Sequence, residues 1–248
     1  MPEFREARRS QTSLLAPLEK RALLWQAARL PRWVHSDHLT ALGLAAMLLA
    51  GLSYWLARAS DTGLLLASFF LAINWFGDSL DGTLARVRQQ QRPRYGFYVD
   101  HVLDAVGAAF LLGGLGLSGY MSPIVALVLL VAYLLVLVET CLASYTLGAF
   151  TMSYAKVGPT ELRILLVIGN LVVLVHPMSE IFGRTFLLFD VSGVIATIGM
   201  ALTLAVAATT HTRALYLAEP LPGKAVHSDR RPVAVERWPV AHETLPQV

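Results

Sequence analysis

Apolar residues along this chain fall in blocks of about twenty separated by short polar segments, a pattern that predicts helices crossing a bilayer. The blocks long enough to span are 39–59, 62–85, 97–118, 122–148, 161–176 and 188–214. The fifth is the shortest and carries Arg163 and Asn170, so it spans only with little tilt. A further helix is predicted ahead of them, over 17–30, because Pro17 suits a helix start and Pro31 a helix end. Leu18, Ala22 and Trp25 share one face of it, with Arg21 and Arg29 beside them, as in a helix lying in the membrane interface. Ser36 or Asp37 then caps the first spanning helix. The expected fold class is all-α, a polytopic membrane protein of six transmembrane helices with an N-terminal interfacial helix. Its parts are an N-terminal segment with that helix (1–38), a six-helix membrane domain (39–216), and a tail (217–248) whose five prolines and scattered charge predict disorder.

Composition agrees: 55% of residues are hydrophobic, 15% are charged, and mean hydropathy is +0.55. The cations set an orientation. Eighteen of the twenty Lys and Arg lie before the first span, between the second and third, between the fourth and fifth, or from Arg213 onward; Arg58 and Arg184 fall on the other side. Both termini are therefore expected in the cytoplasm. The same bias accounts for a pI near 9.2, so no nucleic acid partner is implied, and membrane lipid is the natural neighbour. The first 38 residues lack the core and cleavage pattern of a signal peptide, so the first span is expected to be retained. The single cysteine, Cys141, leaves no internal disulfide and no thiolate-rich zinc site.

The candidate chemistry lies where the pattern is broken. Asp78 and Asp81 sit near the end of the second span, Asp100 and Asp104 near the start of the third, each pair on one helical face. At roughly 3 kcal/mol for a charge at a helix centre, four unpaired carboxylates would cost on the order of 10 kcal/mol, so something must neutralise them. Oxygen-only ligands suit magnesium or manganese, and two such ions balance four carboxylates. The expected depth of both pairs is shallow, on the cytoplasmic side. Gly82 leaves room for a flat base or a phosphate against the helix, and Arg86 can grip phosphate through its planar fork.

Read together, Asp78-x-x-Asp81-Gly82-x-x-Ala85-Arg86, nine residues, then Gly96-x-x-x-Asp100-x-x-x-Asp104 resembles the signature of the CDP-alcohol phosphotransferase (CDP-alcohol phosphatidyltransferase) family. The spacer is longer than the family's usual eight or fewer, and Ser36-Asp37 stands where many relatives have Pro-Asn. The resemblance implies a metal-dependent transferase of phospholipid biosynthesis. An acceptor hydroxyl would attack the β-phosphorus of a CDP-alcohol such as CDP-diacylglycerol, releasing CMP. It further implies Asp78, Asp81, Asp100 and Asp104 as ligands of two Mg2+ or Mn2+ ions, and Asp104 as the general base. Asp78, Gly82, Ala85, Arg86 and Gly96 would then form the cytidine diphosphate pocket, and the protein would be a homodimer. The protein would be integral to the membrane, the inner membrane if the source is bacterial, with its active site facing the cytoplasm. His101, Glu139, Lys156 and Arg163 are candidates for the acceptor side; each also has a plain structural reading as a cap, an ion pair or positive-inside charge. Arg88, Arg92 and Arg94 read as leaflet-facing charge. Asn74, one turn before Asp78, reads equally as support for a metal ligand or as packing. Two other functions stay open. An intramembrane prenyltransferase also holds magnesium on facing aspartates, and a divalent-cation transporter would use the cage as its transport site.

Overall fold

The computed structural model describes residues 16–147, 159–181 and 183–219. The tail from 220 onward and Lys156 lie outside the described residues, as does the chain before 16. Helix α1 (Ala16–Arg29) is followed by six longer helices that run back and forth: α2 (Ser36–Ala57), α3 (Thr62–Val87), α4 (Pro93–Leu117), α5 (Pro123–Leu147), α6 (Pro159–Val175) and α7 (Leu188–Ala218). Five of them are long and apolar enough to cross a membrane. The sixth, α6, has 17 residues, about 25 Å of helix against a hydrocarbon core of about 30 Å.

Helix ends follow local chemistry. Pro93 opens α4. Helix α3 stops at Val87 because Gln89 turns left-handed (φ 56°) and the next two amides fold back, Gln89 N–H onto Arg86 O (3.1 Å) and Gln90 N–H onto Ala85 O (2.9 Å). The loop between α3 and α4 is thus only 88–92, and Gly96 lies on the first turns of α4. Helix α2 starts at Ser36, with His35 before it; the His35 amide donates to His38 Nδ1 (3.1 Å), so the cap falls one residue earlier than Ser36 or Asp37.

Helix α2 lies between α3 and α4, α5 bridges α4 and α7, and α6 packs on α3. At the level of Asp78 the backbones of α2 and α3 touch: a Cβ on Gly77 would stand 2.7 Å from Leu39 O and 2.8 Å from Gly43 N. The larger apolar core is at the far end, where Tyr54, Leu64, Leu71 and Leu115 are almost wholly buried. Within it the Tyr54 hydroxyl donates to Asn170 Oδ1 (2.9 Å), and Asn170 Nδ2 donates to Ser68 Oγ (2.9 Å). This explains how α6 carries a buried asparagine: its amide ties α6 to α2 and α3. Tyr54→Phe removes one of these interhelical bonds and is expected to lower stability by about 1 kcal/mol, read as an earlier thermal melt in detergent. An unchanged melt would show the network to be energetically idle.

Helix α1 packs on α3. Leu23 and Ala27 are buried there against Leu80 and Leu84, while Trp25 is 59% exposed. The helix therefore has a protein face as well as the membrane face that Ala22 and Trp25 suggest.

One element has no counterpart in the hydrophobic pattern. Between α6 and α7, β1 (Met178–Ile181) and β2 (Arg184–Leu187) form an antiparallel hairpin with Ile181 opposite Arg184. Gly183 (φ +73°) supplies the left-handed residue of its turn.

Candidate active site

Carboxylates from α3 and α4 converge at the end of the bundle where α1 docks. Asp78 comes from α3, Asp100 and Asp104 from α4, and one carboxylate oxygen of each lies within 4.8 Å of the others. Asp81 lines the same cleft, together with Thr40, Asn74 and Arg163. It is held differently from the other three: Oδ2 accepts from Thr40 Oγ1 (2.7 Å), Oδ1 accepts from the Gly82 amide, and its main-chain oxygen accepts from Ser36 Oγ (3.0 Å). Where the sequence suggests four equivalent ligands, the fold gathers three and ties the fourth to α2. Three convergent carboxylates with no nitrogen or sulfur donor fit a hard divalent cation, which keeps several positions for water or phosphate.

Arg163 reaches the cleft from α6. Its Nη2 donates to Asp78 Oδ2 at 2.6 Å, with both side chains mostly covered (16% and 30% exposed). Among the described residues named for the acceptor side, His101, Glu139 and Arg163, Arg163 is the one that lines this cleft. His101 is buried, stacks on Phe97 (4.1 Å between ring centres) and donates from Nδ1 to Phe97 O at 2.8 Å. Glu139 accepts from His211 Nδ1 on α7 at 2.5 Å, and the neighbouring Thr140 bonds back along its own helix to Val136 O. Ala85 and Arg86 sit on the last turn of α3, where Arg86 Nη2 donates to Thr83 Oγ1 (3.2 Å). A Cβ on Gly82 would meet only the Arg86 guanidinium, at 3.5 Å, and one on Gly96 would meet nothing within 4 Å. Both glycines thus leave open backbone beside the cleft.

Three residues carry more than the sequence suggests. Thr40, with no motif signal, fixes Asp81. Asn74 is buried and donates from Nδ2 to Gly43 O (2.9 Å), bridging α3 to α2 one turn from Asp78. Arg88 is not leaflet-facing charge: its guanidinium turns inward and donates to Leu30 O (3.1 Å), Pro31 O (2.9 Å) and Val34 O, gathering carbonyls of the segment that follows α1. Arg92 pairs with Asp37 at the start of α2.

Comparison with known proteins bears on this arrangement. Residues 33–210 match the CDP-alcohol phosphatidyltransferase family. The archaetidylinositol phosphate synthase of Pyrococcus horikoshii is 28% identical over 135 residues, covering 54% of this chain and 68% of that one. Two crystal structures of Mycobacterium tuberculosis phosphatidylinositol phosphate synthase (PgsA1) are similar at a TM-score of 0.46. The one with CDP-DAG bound is 19% identical and covers 89% of this chain and 99% of its own; the apo form is 20% identical, covering 86% and 100%. With the family matched over most of its length, the chain belongs to the CDP-alcohol phosphatidyltransferases, integral membrane enzymes of phospholipid biosynthesis that move a substituted phosphate group from a CDP-alcohol to an acceptor hydroxyl and release CMP.

Proposed function

We propose that this enzyme is metal-dependent, that Asp78, Asp100 and Asp104 hold its divalent ions, and that it takes CDP-diacylglycerol or a close analogue as donor and a phosphorylated cyclitol as acceptor. The observation carrying this reading is the meeting of three carboxylates and one guanidinium in a single cleft. Bound Mg2+ or Mn2+ would neutralise the pyrophosphate and stabilise the departing CMP. The chain's own part is positioning. Asp81, held by Thr40 and Ser36, keeps the last turns of α3 against α2, and the Gly82 and Gly96 backbones leave space for the nucleotide. Asp104, one turn beyond Asp100, is placed to take the proton of the attacking hydroxyl. Arg163 is the one cation that lines the cleft among the described residues and suits an acceptor that brings its own phosphate. The similar protein named archaetidylinositol phosphate synthase supports that acceptor class. The positive-inside distribution supports a cytoplasmic site and cytoplasmic termini.

The test is CMP release from purified protein in lipid nanodiscs, with CDP-diacylglycerol and either inositol phosphate, inositol, glycerol phosphate or serine. Release is expected to need Mg2+ or Mn2+, to fall to background with a chelator and return on adding metal, and to be fastest with inositol phosphate. Chelator-resistant turnover would overturn the metal assignment; equal rates with inositol would overturn the phosphorylated acceptor.

A further inference from the structure

The family match begins at residue 33, so α1 lies outside it, yet one side chain of α1 bonds to both α3 and α6, the helices that carry Asp78 and Arg163. Glu19 Oε1 accepts from Trp75 Nε1 (2.9 Å) and Ser79 Oγ (3.4 Å) on α3, and from Thr160 Oγ1 (2.7 Å) on α6. A carboxylate is the side chain suited to this, since it offers only acceptors and several lone pairs. Each partner is close in sequence to a residue of the cleft. Ser79 follows Asp78, and Thr160 precedes Arg163 by three residues, on the same face of α6. Leu23 and Ala27, one and two turns along from Glu19, bury the same side of α1 against Leu80 and Leu84. Arg88 fixes the other end of α1 through the Leu30 and Pro31 carbonyls. Helix α1 is thus held at both ends, and Glu19 is its link to α6.

We propose that Glu19 is a positioning residue of the transferase: it registers α6 against α3 and so sets the Arg163 guanidinium over Asp78. The bond is made on the first turn of α6, through the Thr160 hydroxyl, one turn before Arg163. This deepens the reading above, in which Arg163 meets the acceptor, and rests on it.

The experiment uses Glu19→Ala, Glu19→Gln, Thr160→Val and Arg163→Gln in the full chain in nanodiscs. Two quantities are measured: amide hydrogen exchange, and CMP release with CDP-diacylglycerol and inositol phosphate. Glu19→Ala is expected to raise exchange over 160–166 about tenfold and to raise the acceptor KM about tenfold, the loss of one charge-assisted hydrogen bond, with kcat changed less than about threefold. Thr160→Val should reproduce both effects, and Glu19→Gln should fall between, since its amide oxygen still accepts. In the Arg163→Gln background, Glu19→Ala should change KM by less than about twofold, because both changes remove one positioning effect. Unchanged exchange at the start of α6, or effects of Glu19→Ala and Arg163→Gln that multiply, would overturn the proposal. If wild-type protein releases no CMP with this substrate pair, the substrate assignment fails, and Glu19 stands or falls on the exchange result alone.

Discussion

Asp104→Asn is expected to reduce CMP release by about 10^2- to 10^4-fold, the range for removing a positioned general base, with the protein still folded. The amide has nearly the shape of the carboxyl, so α4 keeps its packing and its place beside α2 and α5. It loses the charge and the basic oxygen. Asp104 belongs to the three-carboxylate group with Asp78 and Asp100, where removing one charge leaves two carboxylates to hold a cation. Mn2+ binding, followed by EPR, is therefore expected to weaken far less than turnover does. Turnover above a tenth of wild type would sink the base assignment. Parallel loss of Mn2+ binding and turnover would make Asp104 a ligand first. Thermal melting recorded on the same sample separates either outcome from unfolding.

Much of this site is legible in the sequence because helical spacing is a strong constraint. Aspartates three or four apart must share a face, and carboxylates in apolar segments need partners. That is enough to bring α3 and α4 together around Asp78, Asp100 and Asp104. What the spacing does not show is what a third helix does to one member of a pair. Asp81 is drawn toward α2 by Thr40 and Ser36, some forty residues away, and neither hydroxyl stands out in a span rich in Leu and Ala. Arg163 has nearby Glu161 as an obvious local partner, yet its guanidinium meets Asp78, 85 residues earlier. Arg88 reads as one of four loop cations, but the segment after α1 presents carbonyls, those of Leu30, Pro31 and Val34, that its several N–H groups meet together. Glu139 likewise finds His211 across the α5–α7 interface, not its neighbour Thr140. The β1–β2 hairpin escapes the pattern for another reason: two four-residue strands are too short for alternation to show, and Phe-Gly is a weak turn signal.

Gly114→Val is expected to damage both the fold and the reaction, because α2 and α4 cross there with no side chain between them. A Cβ on Gly114 would lie 2.0 Å from Gly51 O, and one on Gly51 would lie 2.3 Å from Phe110 O. Both contacts are to backbone, which cannot swing aside as a flexible side chain can. Accommodating valine therefore means moving one helix off the other by an ångström or more. The expected loss of stability is about 3 kcal/mol, at the upper end for overpacking. Asp104 stands ten residues earlier on α4, about 15 Å along a rigid helix, so a displacement at Gly114 is carried to the cleft. Because α2 separates α4 from α3 over much of this length, moving α4 away from α2 also moves Asp100 and Asp104 away from Asp78. A misplacement of that size is expected to lower CMP release about 10^2-fold in the protein that remains folded. Gly113 provides the control: a Cβ there meets nothing within 4 Å. Gly113→Ala should leave turnover unchanged and raise stability by up to about 1 kcal/mol through helix propensity alone. Gly114→Ala already introduces the clashing atom, so it should fall between the control and valine in both melting and turnover. A Gly114→Ala protein that melts and turns over like Gly113→Ala would show that the two helices are not in backbone contact, and the close crossing would no longer account for where the aspartates meet.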